Sequence, residues 1–113
     1  MSFILKMSGV IVGRSELENR DASRHLATGV FRPGLGYDLV QPIFELLDAA
    51  GENEQAMSRY RKSRDALRLQ LTDSTGSVLA VRELHIRRNA SSGAPVLEVE
   101  TDDPGFWTQS PAT

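Results

Sequence analysis

The chain contains no cysteine. Disulfides, thiol nucleophiles, zinc thiolates and iron–sulfur clusters are therefore excluded. Lysine is nearly missing as well: Lys6 and Lys62 stand against eleven arginines, a bias that a GC-rich genome accounts for as readily as function does. No apolar run approaches the roughly 20 residues of a membrane-spanning helix. The first segment, MSFILKMSGVIVG, has no basic stretch ahead of its apolar run and holds Lys6, Ser8 and Gly9 within it, so it reads as a strand and not as a signal peptide. The expectation is a cytoplasmic protein with no membrane segment and no cofactor.

What is present describes an ordinary globular domain. With 113 residues, 40% apolar and 25% charged, the chain has the size and composition for one core. Residues 1–103 are expected to form that domain, and 104–113, rich in turn formers, a flexible C-terminal tail. The net charge of −2 hides an uneven distribution. Eight basic residues against three acidic ones lie between Arg59 and Arg88, whereas Glu98, Glu100, Asp102 and Asp103 cluster near the end. Neighbouring strands would let the two groups compensate each other.

Periodicity gives the element order. Phe3, Leu5 and Met7 alternate as in a strand that continues through Val12 if Gly9 forms a bulge. Residues 13–25 are polar and read as a loop, and LATGVF, 26–31, as a second strand ending at Arg32-Pro33-Gly34. Leu39, Val40, Ile43, Phe44, Leu46, Leu47 and Ala50 recur at helical spacing, with Gly51 as the stop. Residues 52–67 predict a second helix, acidic at its start and basic at its end, with Ala56, Met57 and Tyr60 as a thin apolar face. Leu67, Leu69 and Leu71 alternate, DSTG turns the chain, and SVLAVRELHIRR and VLEVET complete an antiparallel meander. The order β-β-α-α-β-β-β predicts an α+β fold, a mainly antiparallel sheet of about five strands with one or two helices on one face. The competing arrangement is an all-β fold with the helical residues as an insertion.

The segment FRPGLGYDLVQ raises the question of a phosphate-binding turn, because glycines ahead of a helix can present amides to an anion. The dinucleotide fingerprint needs a third glycine where Leu39 stands, and the lysine and hydroxyl residue of a P-loop are missing. Asp38, with Gln41 three residues on, reads instead as a capping box that holds the helix start. Catalytic patterns are equally incomplete. Ser15 follows Gly13 after an apolar run, but Leu17 occupies the place of the second glycine of a nucleophile elbow. His25 near Asp21 would have to serve as the base, and His85, between Leu84 and Ile86, is expected on a polar strand face. Glu16, Glu18, Asp21 and His25 lack metal-ligand spacing. No catalytic or metal residue is assigned.

The strongest binding candidates are Tyr60, Arg61, Arg64 and Arg68 on one helical face, together with Phe106 and Trp107, since arginine and aromatic residues anchor interfaces. They predict a non-catalytic protein-interaction module, an accessory, adaptor or immunity-type protein, binding another protein or itself as a homo-oligomer. The alternative is a small anionic-ligand binder or minor enzyme with a pocket between sheet and helix, using Arg14, Arg24, Arg32 and Tyr37. Weak nucleic-acid binding through the arginine-rich helix comes last, because an acidic domain lacks the pervasive basic field of nucleic-acid binders.

Overall fold

A computed structural model describes residues 2–89 and 91–107. The fold is α+β, and every strand pair is antiparallel. The order is β1 (Phe3–Met7), β2 (Val10–Ser15), β3 (Asn19–Asp21), β4 (Leu26–Val30), β5 (Arg32–Pro33), α1 (Tyr37–Ala50), α2 (Glu54–Ala66), β6 (Leu69–Thr72), β7 (Val78–Leu79), β8 (Glu83–Arg88), β9 (Pro95–Glu100) and α3 (Pro104–Trp107). The strands divide into two sheets, β5-β2-β1-β6-β7 and β3-β4-β9-β8, where a single sheet is expected from the sequence.

The first difference lies at Ser8-Gly9. Both residues have positive φ, 50° and 82°, and Met7 pairs with Val10. A two-residue turn with φ positive at both positions matches the twist of a hairpin, so the apolar stretch 3–12 folds back on itself. The bulge sits elsewhere. Leu5 pairs with Gly13 and Lys6 with Ile11, leaving Val12 as the extra residue, fully buried. The polar segment 13–25 is also more ordered than its composition indicates. It completes β2, crosses to the second sheet and forms β3, and Leu17, at φ 46°, plugs the core at the crossing.

The C-terminal third forms two hairpins instead of a meander. β6 and β7 join the first sheet, with Leu71 opposite Leu79, while β8 and β9 join the second, with Ile86 opposite Leu97. The run SVLAVRELHIRR is divided because the chain passes between sheets at residues 80–82. Thr101 anchors that passage by donating from Oγ1 to the Ala80 carbonyl.

One core unites both sheets and the helices. Phe3, Leu5 and Leu71 come from the first sheet, Ala27, Leu84, Ile86, Leu97 and Val99 from the second, and Val40, Phe44, Leu47 and Tyr60 from the helices. The α1 stripe is narrower than its sequence pattern, for Leu39 and Leu46 remain 61% and 44% exposed. Gly51, at φ 54°, ends α1 as expected.

The start of α1 differs from the capping box. The N-cap is Gly36 and no side chain caps the helix; Asp38 lies in the first turn, and the Gln41 amide donates to Glu45. Helix α2 has a true cap, in which Asn53 Oδ1 accepts from the Ala56 N–H at 3.0 Å. Asp38→Ala is therefore expected to change stability by no more than about 0.5 kcal/mol, whereas Asn53→Ala should cost about 1 kcal/mol. Paired urea unfolding curves check the contrast, and the reverse ranking would restore Asp38 as the cap.

The glycine turn is explained by packing. The Gly34 and Gly36 amides donate to the Val12 and Ile11 carbonyls of β2 at 2.7 and 2.9 Å. A Cβ on Gly36 would fall 2.8 Å from Val10 Cγ1 and 2.9 Å from the Ile11 oxygen. These glycines let the segment after β5 lie against β2 and close that edge of the sheet, which commits their N–H groups to protein acceptors.

Candidate functional site

Three regions bring polar or apolar side chains together: the junction of α2 with β8, the corner around His25, and the outer face of the first sheet.

At the α2–β8 junction the arginine face expected from the sequence is divided. Tyr60 is fully buried and Arg64 nearly so. The Tyr60 hydroxyl lies 2.8 Å from His85 Nδ1, and its ring packs on His85 and Phe44. Arg64 donates to Glu83, to the Leu84 carbonyl and to Asp65, and its guanidinium lies 5.5 Å from the Tyr60 ring centroid. Arg61 reaches the other Glu83 oxygen at 3.3 Å. Arg68 lies beyond the helix at φ 52° and has no ion-pair partner among the described residues. This arrangement ties α2 to the edge of β8 and satisfies an edge carbonyl that would otherwise need water.

Burial governs the protonation of this network. It pushes Tyr60 up to about 12. It pushes His85 down to about 4, with Arg87 and Arg64 adding to the effect. Burial also opposes the Arg64 charge, but its bonds to Glu83 and Asp65 outweigh this and leave its pKa raised. Alternation does place His85 opposite Leu84 and Ile86, yet Tyr60 covers it, so it is buried and not solvent-facing.

The pH consequence follows from linkage. Above about pH 6.5 His85 is neutral in both folded and unfolded chains and contributes nothing. As the pH falls from 6.5 to 4, the unfolded chain takes up a proton that the folded one refuses, and stability is lost. The wild type is expected to lose about 2 kcal/mol more than His85→Gln between pH 7 and pH 4.5. Urea unfolding at both pH values checks this, and equal losses would mean that His85 is not held neutral.

The His25 corner joins β4 to α3. His25, at φ 52°, places Nδ1 2.5 Å from Asp102, whose other oxygen meets Arg82 at 3.3 Å. Trp107 stacks on His25 and donates from Nε1 to the Thr101 carbonyl at 2.7 Å. Phe106 is buried edge-on against Phe3 and beneath Arg20. Both aromatic residues thus serve the domain itself, while residues 108–113 of the expected tail lie outside the described residues. The expected partner of His25, Asp21, instead accepts from Ser23 and Arg24. Ser15 is buried and its Oγ accepts the Leu17 N–H. Glu18 accepts the Val30 N–H, so the acidic residues around His25 are directed to separate partners.

Of the four residues expected to line a pocket, two are adjacent. Arg14 and Arg32 stand directly opposite each other on β2 and β5, both exposed. Arg24 lies in the β3–β4 turn, and Tyr37, at the start of α1, packs on Phe31. The strands of the first sheet contain no acidic residue. Lys6 shares a face with Arg14, because Ile4 pairs with Arg14 and Lys6 lies two residues on, opposite Ile11. Lys6, Arg14 and Arg32 have no ion-pair partner among the described residues. Ile11, opposite Lys6 on that face, is 39% exposed; Val10, opposite Met7 on the other face, and Leu35 and Leu39, in the turn and helix that follow β5, are 42%, 99% and 61% exposed.

The surface was hidden in the sequence because the strand holding Lys6 and the turn holding Leu35 meet only through β2. Comparison with protein-family models, with curated proteins and with solved structures finds no match. Among the described residues, no helix is long and apolar enough to cross a membrane.

Proposed function

We propose that this chain is a non-catalytic protein-interaction module, an adaptor, accessory or immunity-type protein of a bacterial cytoplasm. Its docking surface is the face of the β1–β2–β5 edge that carries Lys6, Ile11, Arg14 and Arg32, extended by the exposed Leu35 and Leu39 of the turn and helix that follow β5. The observation that carries this reading is the Arg14–Arg32 pair. Like charges directly opposite on adjacent strands cost stability, and here no acidic side chain relieves them. A partner offering carboxylates around an apolar patch would supply the missing charge and cover the leucines. A second copy of the chain is the less favourable occupant, since it would bring the same three cations to the contact.

The test uses two amphipathic helical peptides with the same leucine stripe, one flanked by glutamate and one by lysine, titrated into isotope-labelled protein. The acidic peptide is expected to shift the amides of Lys6, Ile11, Arg14, Arg32, Leu35 and Leu39, with affinity falling as salt rises. Arg14→Glu should reduce that affinity by about tenfold, on the scale of one charge-assisted contact. Equal binding of both peptides, or concentration-dependent dimerisation abolished by Leu39→Asp, would reject the acidic partner.

A further inference from the structure

A groove of about 230 Å³ lies at the opposite edge of the first sheet, where β6 and β7 approach β8 of the second. Its apolar lining includes Leu69, Leu79 and Val81, all partly buried. The charged lining comprises Arg64, Arg68, Arg82, Asp65 and Glu83, a net charge of +1 from three cations and two anions. The charges differ in availability. Glu83 and Asp65 are bonded to Arg64, and Arg61 adds a second contact to Glu83. Arg82 shares its charge with Asp102, with which it lines an adjoining, more open depression past Val81. Arg68 is left with no ion-pair partner among the described residues.

We infer that this groove binds a small aliphatic monocarboxylate, its head on Arg68 and its chain along Leu69, Leu79 and Val81. The charge supports a monoanion, because a single uncommitted guanidinium is matched by one carboxylate, whereas a phosphate dianion would also meet Asp65 and Glu83. The size supports a short chain, since the groove is below the usual range of pockets for drug-sized ligands. The backbone supports a fixed head site. Arg68 adopts a left-handed conformation uncommon for a side-chain-bearing residue, and its N–H is tied to the Asp65 carbonyl at 3.2 Å, which sets where its side chain leaves the chain.

The experiment titrates octanoate, octylamine and octanol into isotope-labelled full-length protein, followed by amide shifts and calorimetry. Octanoate is expected to saturate with shifts at Leu69, Leu79, Val81 and Arg82, and to bind about tenfold more tightly than either analogue, as one charge-assisted contact predicts. Arg68→Gln should remove that advantage, and Val81→Trp should abolish binding by filling the groove while circular dichroism and melting confirm the fold. Lys62→Gln serves as a charge control and is expected to leave affinity unchanged. Equal binding of the three ligands, no saturation by octanoate, or shifts confined to Ile11, Leu35 and Leu39 would each overturn the inference. The last result would leave the docking surface proposed above intact.

Discussion

Replacing Phe106 with alanine is expected to cost about 4 kcal/mol of folding stability, the scale of a buried phenylalanine removed from a packed core. The ring is 1% exposed, lies 5.5 Å from Phe3 and 4.7 Å from Trp107, and has the Arg20 guanidinium 4.4 Å from its centroid. Its loss leaves a cavity and strips an arginine that burial already disfavours as a cation. The second effect compounds the first, because the Nη1 atom of Arg20 has no hydrogen-bond partner among the described residues. Urea unfolding with an unchanged m-value measures the cost. A change below about 1 kcal/mol would show that α3 does not hold the core closed, as expected of a side chain on a loose tail.

Arg64→Ala is expected to cost about 3 kcal/mol, because it breaks a largely buried ion pair, leaving Glu83 with Arg61 alone among arginines and the Leu84 carbonyl with only the longer Tyr60 contact. Removing both charges should be milder. Arg64→Met combined with Glu83→Gln is expected to recover about half of the loss, since part of the cost of the single change is that of a half-paired carboxylate still held by Arg61. A double-mutant cycle followed by chemical unfolding gives the coupling. If Arg64→Ala costs no more than the exposed substitution Arg59→Ala, α2 does not depend on this pair to hold the edge of β8.

These two effects fall on residues assigned to binding from the sequence, and the reason is instructive. Spacing places Arg61, Arg64 and Arg68 at successive helical turns but does not indicate what the helix lies against. The helix crosses the edge of β8, so Arg64 turns inward, Arg61 remains half-exposed on Glu83, and the helix ends before Arg68. Composition had made 104–107 a tail, yet only five residues separate the end of β9 from Phe106, which is near enough to return to Phe3. Arg14 and Arg32, taken from the sequence as pocket residues, do meet, but on an open sheet face. Lys6 and Leu35 went unnoticed because nothing local links them to those arginines.

The electrostatic expectation was more legible. A basic middle and an acidic end do pair across β8 and beyond β9, in Arg87 with Glu98 and Arg82 with Asp102, each at 3.3 Å. Such compensation can be read from sequence because adjacent antiparallel strands bring their charges together whatever the wider topology.

The amino-acid order alone determined the α+β class, the two helices with the Gly51 stop between them, and the alternating strands at each end. Each depends on dihedral preference and on apolar spacing within a single element. Only tertiary structure decided that the strands form two sheets, that His85, Arg64 and Phe106 are interior, and that Lys6, Arg14 and Arg32 share one sheet face. Those outcomes depend on which elements cover one another, a relation between residues far apart in the chain that no local period encodes.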